Sequence, residues 1–186
     1  MTEDERGLVR EALSGDREAF ASLVRAHEVR VRSLCLSILR NPSEADDAAQ
    51  DVFIKAYKNL SSFRFESSLS TWLYRIAHRR CLDLLRSGAL RRTEPLDALD
   101  GELFQEKATP ERGDAERILA VLSPEERLVL TLREVQALTY EEMAGVLDTT
   151  LDGVKGRLKR ARQTLRLKAR HLFEPAAVQR VKETTP

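Results

Sequence analysis

Residues 122–166, LSPEERLVLTLREVQALTYEEMAGVLDTTLDGVKGRLKRARQTLR, decide the fold of this chain. Two capping boxes mark helix starts within them, because Ser123 is followed three residues later by Glu126, and Thr139 by Glu142. The proline directly after Ser123 favours the same start, since its missing N–H is not needed at the first helical position. The stretch is therefore predicted to be helical, with the starts of two helices fixed by local sequence.

The last two helices of this stretch form a predicted helix-turn-helix. The first spans Tyr140–Leu147 and the second about Leu151–Arg166, with only Asp148-Thr149-Thr150 between them. Two short helices joined by a tight turn are typical of DNA-binding proteins, in which the second helix enters the major groove. Apolar residues at steps of three and four predict the inward side of the second helix, namely Val154, Leu158, Ala161 and Leu165.

The opposite side of this second helix is densely basic. Its one acid between residues 151 and 170 is Asp152, against Lys155, Arg157, Lys159, Arg160, Arg162, Arg166, Lys168 and Arg170. The residues expected near base edges are Asp152, Lys155 and Lys159, and those expected near phosphates are Arg157, Arg160 and Arg162. An ordinary helical hairpin with a solvated basic face is the alternative. The coincidence of capping boxes, short turn and basic residues favours DNA binding.

The N-terminal part is also predicted to be helical. A first helix covers about Glu3–Leu13, and Asp16 caps a long second helix that ends at Asn41-Pro42. The apolar stripe of that second helix is Phe20, Leu23, Val24, His27, Val31, Leu34, Cys35 and Ile38. A third helix is expected to begin at Ser43 as its N-cap, with Asp46, three residues later, as the reciprocal capping partner. A fourth helix is expected over about residues 71–86.

A linker separates the two helical parts. Residues 88–113 include Gly88, Gly101, Gly113, Pro95 and Pro110 and lack a clean helical period. The predicted fold class is therefore all-α, with two small helical domains joined by a flexible linker. The domains cover residues 1–87 and 114–175, and residues 176–186 form a tail.

The third helix has two distinct sides. Its inward stripe is Ala45, Ala49, Val52, Phe53, Ala56, Tyr57 and Leu60, and the other side carries Asp47, Gln50, Asp51, Ile54 and Lys58. An acidic face with an exposed isoleucine indicates a protein partner that is basic and partly apolar. A metal site at Glu44, Asp46, Asp47 and Asp51 is disfavoured, because no histidine accompanies the acids and capping accounts for Asp46.

Aromatic and basic residues alternate around the start of the fourth helix. Phe63 and Phe65 lie in the loop at residues 61–70, and Trp72, Tyr74, Arg75, Arg79 and Arg80 follow. Bases stack on rings for about 1–3 kcal/mol each, and cations bind the phosphates, so the pattern predicts a single-stranded DNA platform. The alternative is that Phe63, Trp72 and Tyr74 are simply core residues.

Composition and charge exclude several classes of protein. Charged residues make up 33% of the chain, aromatic residues 5%, and the net charge is only +1. No segment is apolar for long enough to span a membrane, and the N-terminus is too acidic for a signal peptide, so a cytoplasmic protein is expected. We interpret Cys35 and Cys81 as reduced packing residues. His27, His78 and His171 are isolated in sequence and no phosphate-binding glycine loop is present, so we expect no catalytic residue, metal or cofactor.

Together these segments resemble the extracytoplasmic-function (ECF, group 4) sigma factors of the bacterial sigma-70 family. The resemblance covers nearly the whole chain in order. It is carried by DAAQDVFIKAY at residues 47–57, STWLYRIAHRRCLDLLR at residues 70–86 and the helix-turn-helix stretch at residues 122–166. It implies a subunit that binds core RNA polymerase, at the clamp helices of the largest subunit and at the flap, and promoter DNA. It also implies an anti-sigma protein as regulator and a location at the nucleoid.

The resemblance assigns a role to each segment. The polymerase-binding set would be Asp47, Gln50, Asp51, Phe53 and Ile54. Recognition and opening of the −10 element would fall to Phe63, Arg64, Phe65, Trp72, Tyr74, Arg75, Arg79 and Arg80. Recognition of the −35 element would fall to Thr149, Thr150, Asp152, Lys155, Arg157, Lys159, Arg160 and Arg162.

The chain departs from the family pattern at four positions. Asp148 stands where the turn commonly has glycine, Gly153 and Gly156 replace hydroxyl residues, and Arg79 replaces an asparagine. These changes weaken any forecast of the promoter sequence. A free-standing helix-turn-helix regulator is the alternative function, but it leaves the acidic third helix and the aromatic loop unexplained. An enzyme is disfavoured, because the histidines have no obvious catalytic partner.

Overall fold

The structure, a computed structural model, describes residues 2–93 and 121–173. These residues form helices α1 (Glu3–Leu13), α2 (Arg17–Leu39), α3 (Pro42–Lys58), α4 (Leu69–Thr93), α5 (Pro124–Leu130), α6 (Tyr140–Leu147) and α7 (Leu151–Phe173). A 3₁₀ turn at Leu60–Ser62 precedes α4, and a π-helical turn at Thr131–Val135 extends α5. Within the two described ranges there is no strand, which confirms the all-α fold class.

The predicted caps of the C-terminal helices are present. Ser123 and Glu126 satisfy each other's backbone N–H groups at the start of α5, and Thr139 and Glu142 do the same at α6. Asp16 accepts hydrogen bonds from the backbone of residues 18 and 19 and so caps α2, as expected. Local sequence therefore determines where three of the helices begin.

The predicted cap of α3 is wrong. Asn41, not Ser43, accepts the N–H groups of residues 43 and 44, at 3.0 and 3.2 Å, and α3 begins at Pro42. Proline fits the first helical position because it lacks the N–H that would otherwise be unpaired there. Asp46 is consequently not a cap partner and instead pairs with Arg32 of α2.

Helix α4 is longer than predicted at both ends. It begins at Leu69 and continues to Thr93, so residues 88–93 of the expected linker are helical. The helix formers Ala89, Leu90, Arg91 and Arg92 outweigh the single Gly88, which costs about 1 kcal/mol relative to alanine. The rest of the expected linker and the tail at residues 176–186 lie outside the described residues.

The N-terminal helices α1 to α4 pack around one apolar core. The predicted stripe of α2 faces this core, with Leu23, Val31, Leu34, Cys35 and Ile38 buried. The predicted stripe of α3 is also buried except for its aromatic members. Tyr57 is 47% exposed, because it lies at the edge of the bundle against the ring of Phe20, 4.9 Å between centroids. Phe53 is half-buried.

The two helical modules, residues 2–93 and 121–173, contact each other directly. Arg127 of α5 is only 6% exposed and donates hydrogen bonds to the carbonyl oxygens of Ser37, at 2.7 Å, and Ile38, at 3.1 Å. It also bonds to Leu122 O. Burial, with a smaller effect from Arg40, lowers the pKa of Arg127 to about 10. A guanidinium of the C-terminal module therefore satisfies carbonyls in the last turn of α2.

Helix α6 packs against α4 in the same interface. The Arg75 Nε–H donates to Gly145 O at 2.9 Å, and His78 Nδ1 lies 3.2 Å from Val146 O. Burial lowers the pKa of His78, and the nearby charges of Arg157 and Arg79 lower that pKa further. The hydrogen bond to Val146 O raises it. Glu125 acts in the opposite direction to the two arginines.

Replacement of Arg127 by methionine should lower the free energy of unfolding by about 1–3 kcal/mol, because it leaves buried carbonyls without a donor. Urea unfolding followed by circular dichroism measures the change. Arg10→Met is the control, because the Arg10 side chain is exposed and, within residues 2–93 and 121–173, forms an ion pair only with the solvated Glu3. A loss for Arg127→Met no larger than that of the control would contradict the capping role.

The interface should weaken as the pH falls through the range of histidine titration. The pKa of His78 lies below its ordinary value of 6.5 in the folded chain, so unfolding or opening takes up a proton below that pH. Its contribution is therefore complete above pH 6.5 and is lost progressively on acidification. Thermal unfolding between about pH 5 and 8 should show a shallower pH dependence for His78→Gln than for the unsubstituted chain. Equal slopes would exclude His78 as the titrating group.

Candidate nucleic-acid interface

Helix α7 presents the orientation predicted for a recognition helix. Val154, Leu158 and Ala161 are fully buried and Leu165 is half-buried, so the predicted inward stripe is confirmed. The turn before α7 places Asp148 at a φ of 49°, in the left-handed region. Aspartate adopts that conformation more readily than most residues, which accounts for its presence where the family commonly has glycine.

The outward face of α7 is cationic. Asp152, Lys155, Lys159, Arg160 and Arg162 are all exposed. Lys155 Nζ lies 3.3 Å from Asp152 Oδ1. Lys159 and Arg160 form no ion pair with any residue in the described ranges, so of the predicted set they are the cations most available to a phosphate or a base.

Two of the three arginines predicted near phosphates are already ion-paired. Arg157 is half-buried and lies 3.2 Å from Glu125, and Arg162 lies 2.8 Å from Glu134. The bond to Glu134 raises the pKa of Arg162. Because both acids belong to the α5 segment and its π-helical turn, the pairs orient α7 within the module. A DNA phosphate would have to compete with these carboxylates.

The two threonines predicted to bind DNA have local structural roles. Thr150 accepts the N–H of Gly153 at 3.1 Å and so caps α7. A Cβ at Gly153 would lie 2.4 Å from Thr149 Oγ1, whereas the nearest atom to a Cβ at Gly156 is the Arg160 guanidinium at 3.9 Å. The first glycine therefore makes room for Thr149, and the second leaves open space on the exposed face.

A cleft of about 700 Å³ lies between the end of α3, the following loop and α4. Phe63, Trp72, Arg64, Arg75 and Arg79 from the predicted −10 set line it, so the structure brings these residues together. Lys55 of α3 and Asn59, directly after its last residue, line it as well, and the predicted set did not include them. Their spacing of one helical turn next to the aromatic loop was the available signal.

The aromatic side chains form one cluster. Phe63 is buried, with its ring centroid 4.9 Å from Phe65 and 5.4 Å from Trp72. Trp72 and Phe65 are half-buried, and Phe65 has a φ of 59°, in the left-handed region. Phe63 thus forms the floor of the cleft, as the core alternative has it, and Trp72 forms the part that a base could contact. Phe65 packs against the core and does not line the cleft.

Tyr74 does not line the cleft in this conformation. It is 1% exposed, and its hydroxyl donates a hydrogen bond of 2.6 Å to Gln136 Oε1 of the C-terminal module. Burial raises its pKa, and Arg30 has a smaller opposing effect. Another part of the chain therefore covers Tyr74 in this arrangement of the two modules, and its contact with DNA stays a prediction.

The arginines predicted for the −10 element divide into two groups. Arg64 and Arg79 are exposed at the cleft. Arg75 is bonded to Gly145 O, and Arg80 forms a 2.6 Å ion pair with Asp51 of α3. The first pair is open to a phosphate, and the second pair is engaged inside the protein.

The acidic face of α3 is exposed only in part. Asp47, Gln50 and Ile54 are open to solvent, and Ile54 is 52% exposed. Asp51 is half-buried by its pair with Arg80, and Phe53 packs against the core. The exposed part of the predicted polymerase-binding set is therefore smaller than the sequence suggested.

The described residues show no sign of metal binding, membrane insertion or thiol chemistry. The described part of the chain contains no group of three or more side chains that could hold a metal ion. None of its helices is long and apolar enough to cross a membrane. Cys35 and Cys81 are buried free thiols, and the bond to Cys35 together with burial raises the pKa of Cys81. A raised thiol pKa disfavours the reactive thiolate.

Comparison with known proteins identifies both modules. The family model of sigma-70 region 2 matches residues 23–91, and that of sigma-70 region 4 matches residues 112–165. The ECF RNA polymerase sigma-E factor of Escherichia coli K12 is 33% identical over 181 residues, covering 89% of this chain and 94% of that protein. The RNA polymerase sigma-H factor of Pseudomonas aeruginosa is 32% identical over 178 residues, covering 88% and 92%.

Solved structures show the same fold. The structure of CnrH in complex with the cytosolic domain of CnrY covers 90% of this chain and 98% of that one, with 26% identity and a TM-score of 0.67. The sigma factor RpoE of Bartonella quintana, solved in complex with the anti-sigma factor NepR, covers 81% and 96%, with 21% identity and a TM-score of 0.65. The chain belongs to the ECF sigma factors of the sigma-70 family, the promoter-recognition subunits of bacterial RNA polymerase.

Proposed function

We propose that this sigma factor directs initiation by presenting two separate DNA-binding surfaces to one promoter while α3 binds core polymerase. The observation that carries the proposal is the exposed face of α7, where Lys159 and Arg160 are unpaired among the described residues on the second helix of a helix-turn-helix. The protein itself acts as a recognition subunit and not as an enzyme. Its site of action is the nucleoid, in the cytoplasm.

Helix α7 is assigned to the −35 element. Its exposed Asp152, Lys155 and Lys159 are placed to bond base edges, and Arg160 to bond a phosphate. Arg157 and Arg162 contribute mainly by holding α7 in position through Glu125 and Glu134, so they support recognition indirectly. Thr149 and Thr150 shape the turn that brings the helix start toward the groove.

The cleft beside α4 is assigned to the −10 element. Its volume of about 700 Å³ is ample for one unstacked base, with Trp72 as the stacking surface. Arg64 and Arg79 at the cleft would neutralise the phosphates on either side. The cost of unstacking a base is a few kcal/mol, which a stacking contact on Trp72 of about 1–3 kcal/mol and the phosphate contacts together offset.

Core polymerase is assigned to the exposed face of α3. Asp47 and Gln50 supply polar contacts and Ile54 an apolar one, which suits a basic helix with an aliphatic patch. Asp51 contributes through its pair with Arg80, which connects this face of α3 to α4. An anti-sigma protein is proposed as a further partner. Its support is the family resemblance and a fold shared with an RpoE that was solved bound to NepR.

The test of this function is run-off transcription with purified core polymerase on the DNA upstream of the protein's own gene. The chain should stimulate specific initiation, and Ile54→Lys should abolish it by placing a buried cation in the contact. Val29→Lys is the matched control, because Val29 is 73% exposed on α2, away from the proposed contact. Tight, specific duplex binding without polymerase, and no stimulation with it, would instead identify a free-standing regulator.

Substitutions on α7 should separate base recognition from phosphate binding. Lys159→Ala is expected to weaken holoenzyme binding by about 1–3 kcal/mol and to relax preference at one −35 position, because a base-edge contact is lost. Arg160→Ala should weaken binding to all sequences alike and reduce the slope of log K against log salt by about 1. Competition binding with a library of −35 variants distinguishes the two effects. Identical profiles for both variants would refute the assignment.

A further inference from the structure

We propose, on the basis of the function assigned to α7, that Asp152 and Lys155 act together to recognise a single G·C base pair of the −35 element. Asp152 accepts a hydrogen bond from the cytosine amino group, and Lys155 donates to the guanine. The acid is the selective member of the two, because it fixes which strand carries the amino base.

The two side chains form one charged pair at the start of α7, called the Asp152–Lys155 pair below. They lie one helical turn apart, with Lys155 Nζ 3.3 Å from Asp152 Oδ1. Solvent reaches 93% of the Asp152 side chain and 60% of that of Lys155. Burial of Val154 between them fixes their outward direction. The pair therefore presents an acceptor beside a donor at the end of the helix that contacts base edges.

Helix capping does not account for Asp152. Thr150 caps α7, since its hydroxyl accepts the N–H of Gly153 at 3.1 Å. Within residues 2–93 and 121–173, Lys155 is the one partner of the Asp152 carboxylate, so its second oxygen is left to accept a further hydrogen bond. A negative charge also stabilises the first turn of a helix, and that alternative predicts no preference among base pairs.

The glycines next to the pair leave it accessible to DNA. A Cβ at Gly156 would meet no atom closer than the Arg160 guanidinium, at 3.9 Å. Gly153 likewise adds no side chain at the start of the helix. The backbone of α7 can therefore approach the floor of the groove closely, which a side chain as short as that of Asp152 requires in order to reach a base edge.

The pair matches the exposed edge of one base pair. In the major groove a G·C pair presents guanine N7 and O6 as acceptors and cytosine N4 as a donor. Guanine O6 and cytosine N4 are hydrogen-bonded to each other and so lie about 3 Å apart. The atoms of the Asp152–Lys155 pair are separated by a similar 3.3 Å. One N–H of the Lys155 ammonium bonds to Asp152, and the other two remain for guanine.

The order of the two charges also selects the strand. G·C and T·A both place a keto oxygen opposite Lys155 and an amino group opposite Asp152, whereas C·G and A·T reverse that order. In the reversed order the carboxylate meets a carbonyl oxygen and the ammonium meets an amino group, so both contacts are repulsive. Guanine is favoured over thymine because its N7 is a second acceptor for Lys155.

A double-mutant cycle between Asp152→Ala and a modified cytosine tests the proposal. Holoenzyme is formed from the full chain and purified core polymerase, and bound to duplex DNA from upstream of the protein's own gene. Competition among −35 variants finds the position that prefers G·C. The cytosine there is then replaced by pyrimidin-2-one, which lacks the amino group. The resulting weaker pairing with guanine affects both protein variants alike, so the cycle isolates the contact with Asp152.

Loss of the amino group should weaken binding of the unsubstituted holoenzyme about tenfold, as expected for one base contact, and should not affect Asp152→Ala. Asp152→Asn should accept both G·C and C·G, because an amide donates as well as accepts. Glu141→Ala is the matched control. Glu141 is an exposed acid in the first turn of α6, so its removal takes away the same charge and should change the affinity for all sequences by one factor.

The proposal is overturned if removal of the amino group weakens Asp152→Ala as much as the unsubstituted chain. It is also overturned if Asp152→Ala changes binding equally for every base pair, as the helix-stabilising alternative predicts. Lys159→Ala distinguishes these failures from failure of the proposed function. If it still relaxes the preference at its own −35 position, α7 recognises the element without Asp152. If the unsubstituted holoenzyme binds all −35 variants alike, the assignment of α7 fails as well.

Discussion

Burial of one apolar stripe on α7 determines how the C-terminal module can meet DNA. The side chains of Val154, Leu158 and Ala161 are fully buried. Their burial fixes the orientation of α7 about its own axis. That rotation places Lys155, Lys159 and Arg160 outward. Losing the stripe would not merely destabilise the helix. It would turn the cations toward directions in which they could no longer share one groove.

The neighbouring ion pairs refine the same arrangement. Glu125 and Glu126 are adjacent in α5, where the first holds Arg157 and the second both completes the capping box and accepts a hydrogen bond from Thr164. A single helix start thus anchors α7 at two points. The acidic residues beside α7 therefore contribute to DNA binding indirectly. By fixing the orientation of α7, they also fix the directions of its unpaired cations.

Local sequence predicted those features that depend on nearby residues. The capping boxes, the turn at Asp148 and the inward stripe of α7 all arise within a few positions of one another. The Ser43 cap is a local exception, since Asn41, two residues earlier, caps α3 instead. The misplacement of Tyr57 has a different cause. Tyr57 was placed inside because its spacing fits the stripe, but its position at the edge of the bundle depends on Phe20, far away in the chain.

Sequence periodicity also could not predict which residues form hydrogen bonds and ion pairs with the site residues. Tyr74 and Arg75 are engaged by residues more than sixty positions away, and Asp51 and Arg80 pair across two helices. A charge pattern shows where cations and anions occur along the chain, but not which of them neutralise each other. The segments were therefore predicted well, and the availability of individual side chains within them was not.

The close fit of Gly153 against Thr149 links two positions that any redesign of α7 would treat as independent. A side chain at residue 153 would require the hydroxyl of Thr149 to rotate away, whereas residue 156 faces open space. Sequence variation at the start of this helix should consequently occur in pairs at residues 149 and 153. Residue 156 is the place where a new side chain could extend toward a base without rearranging the turn.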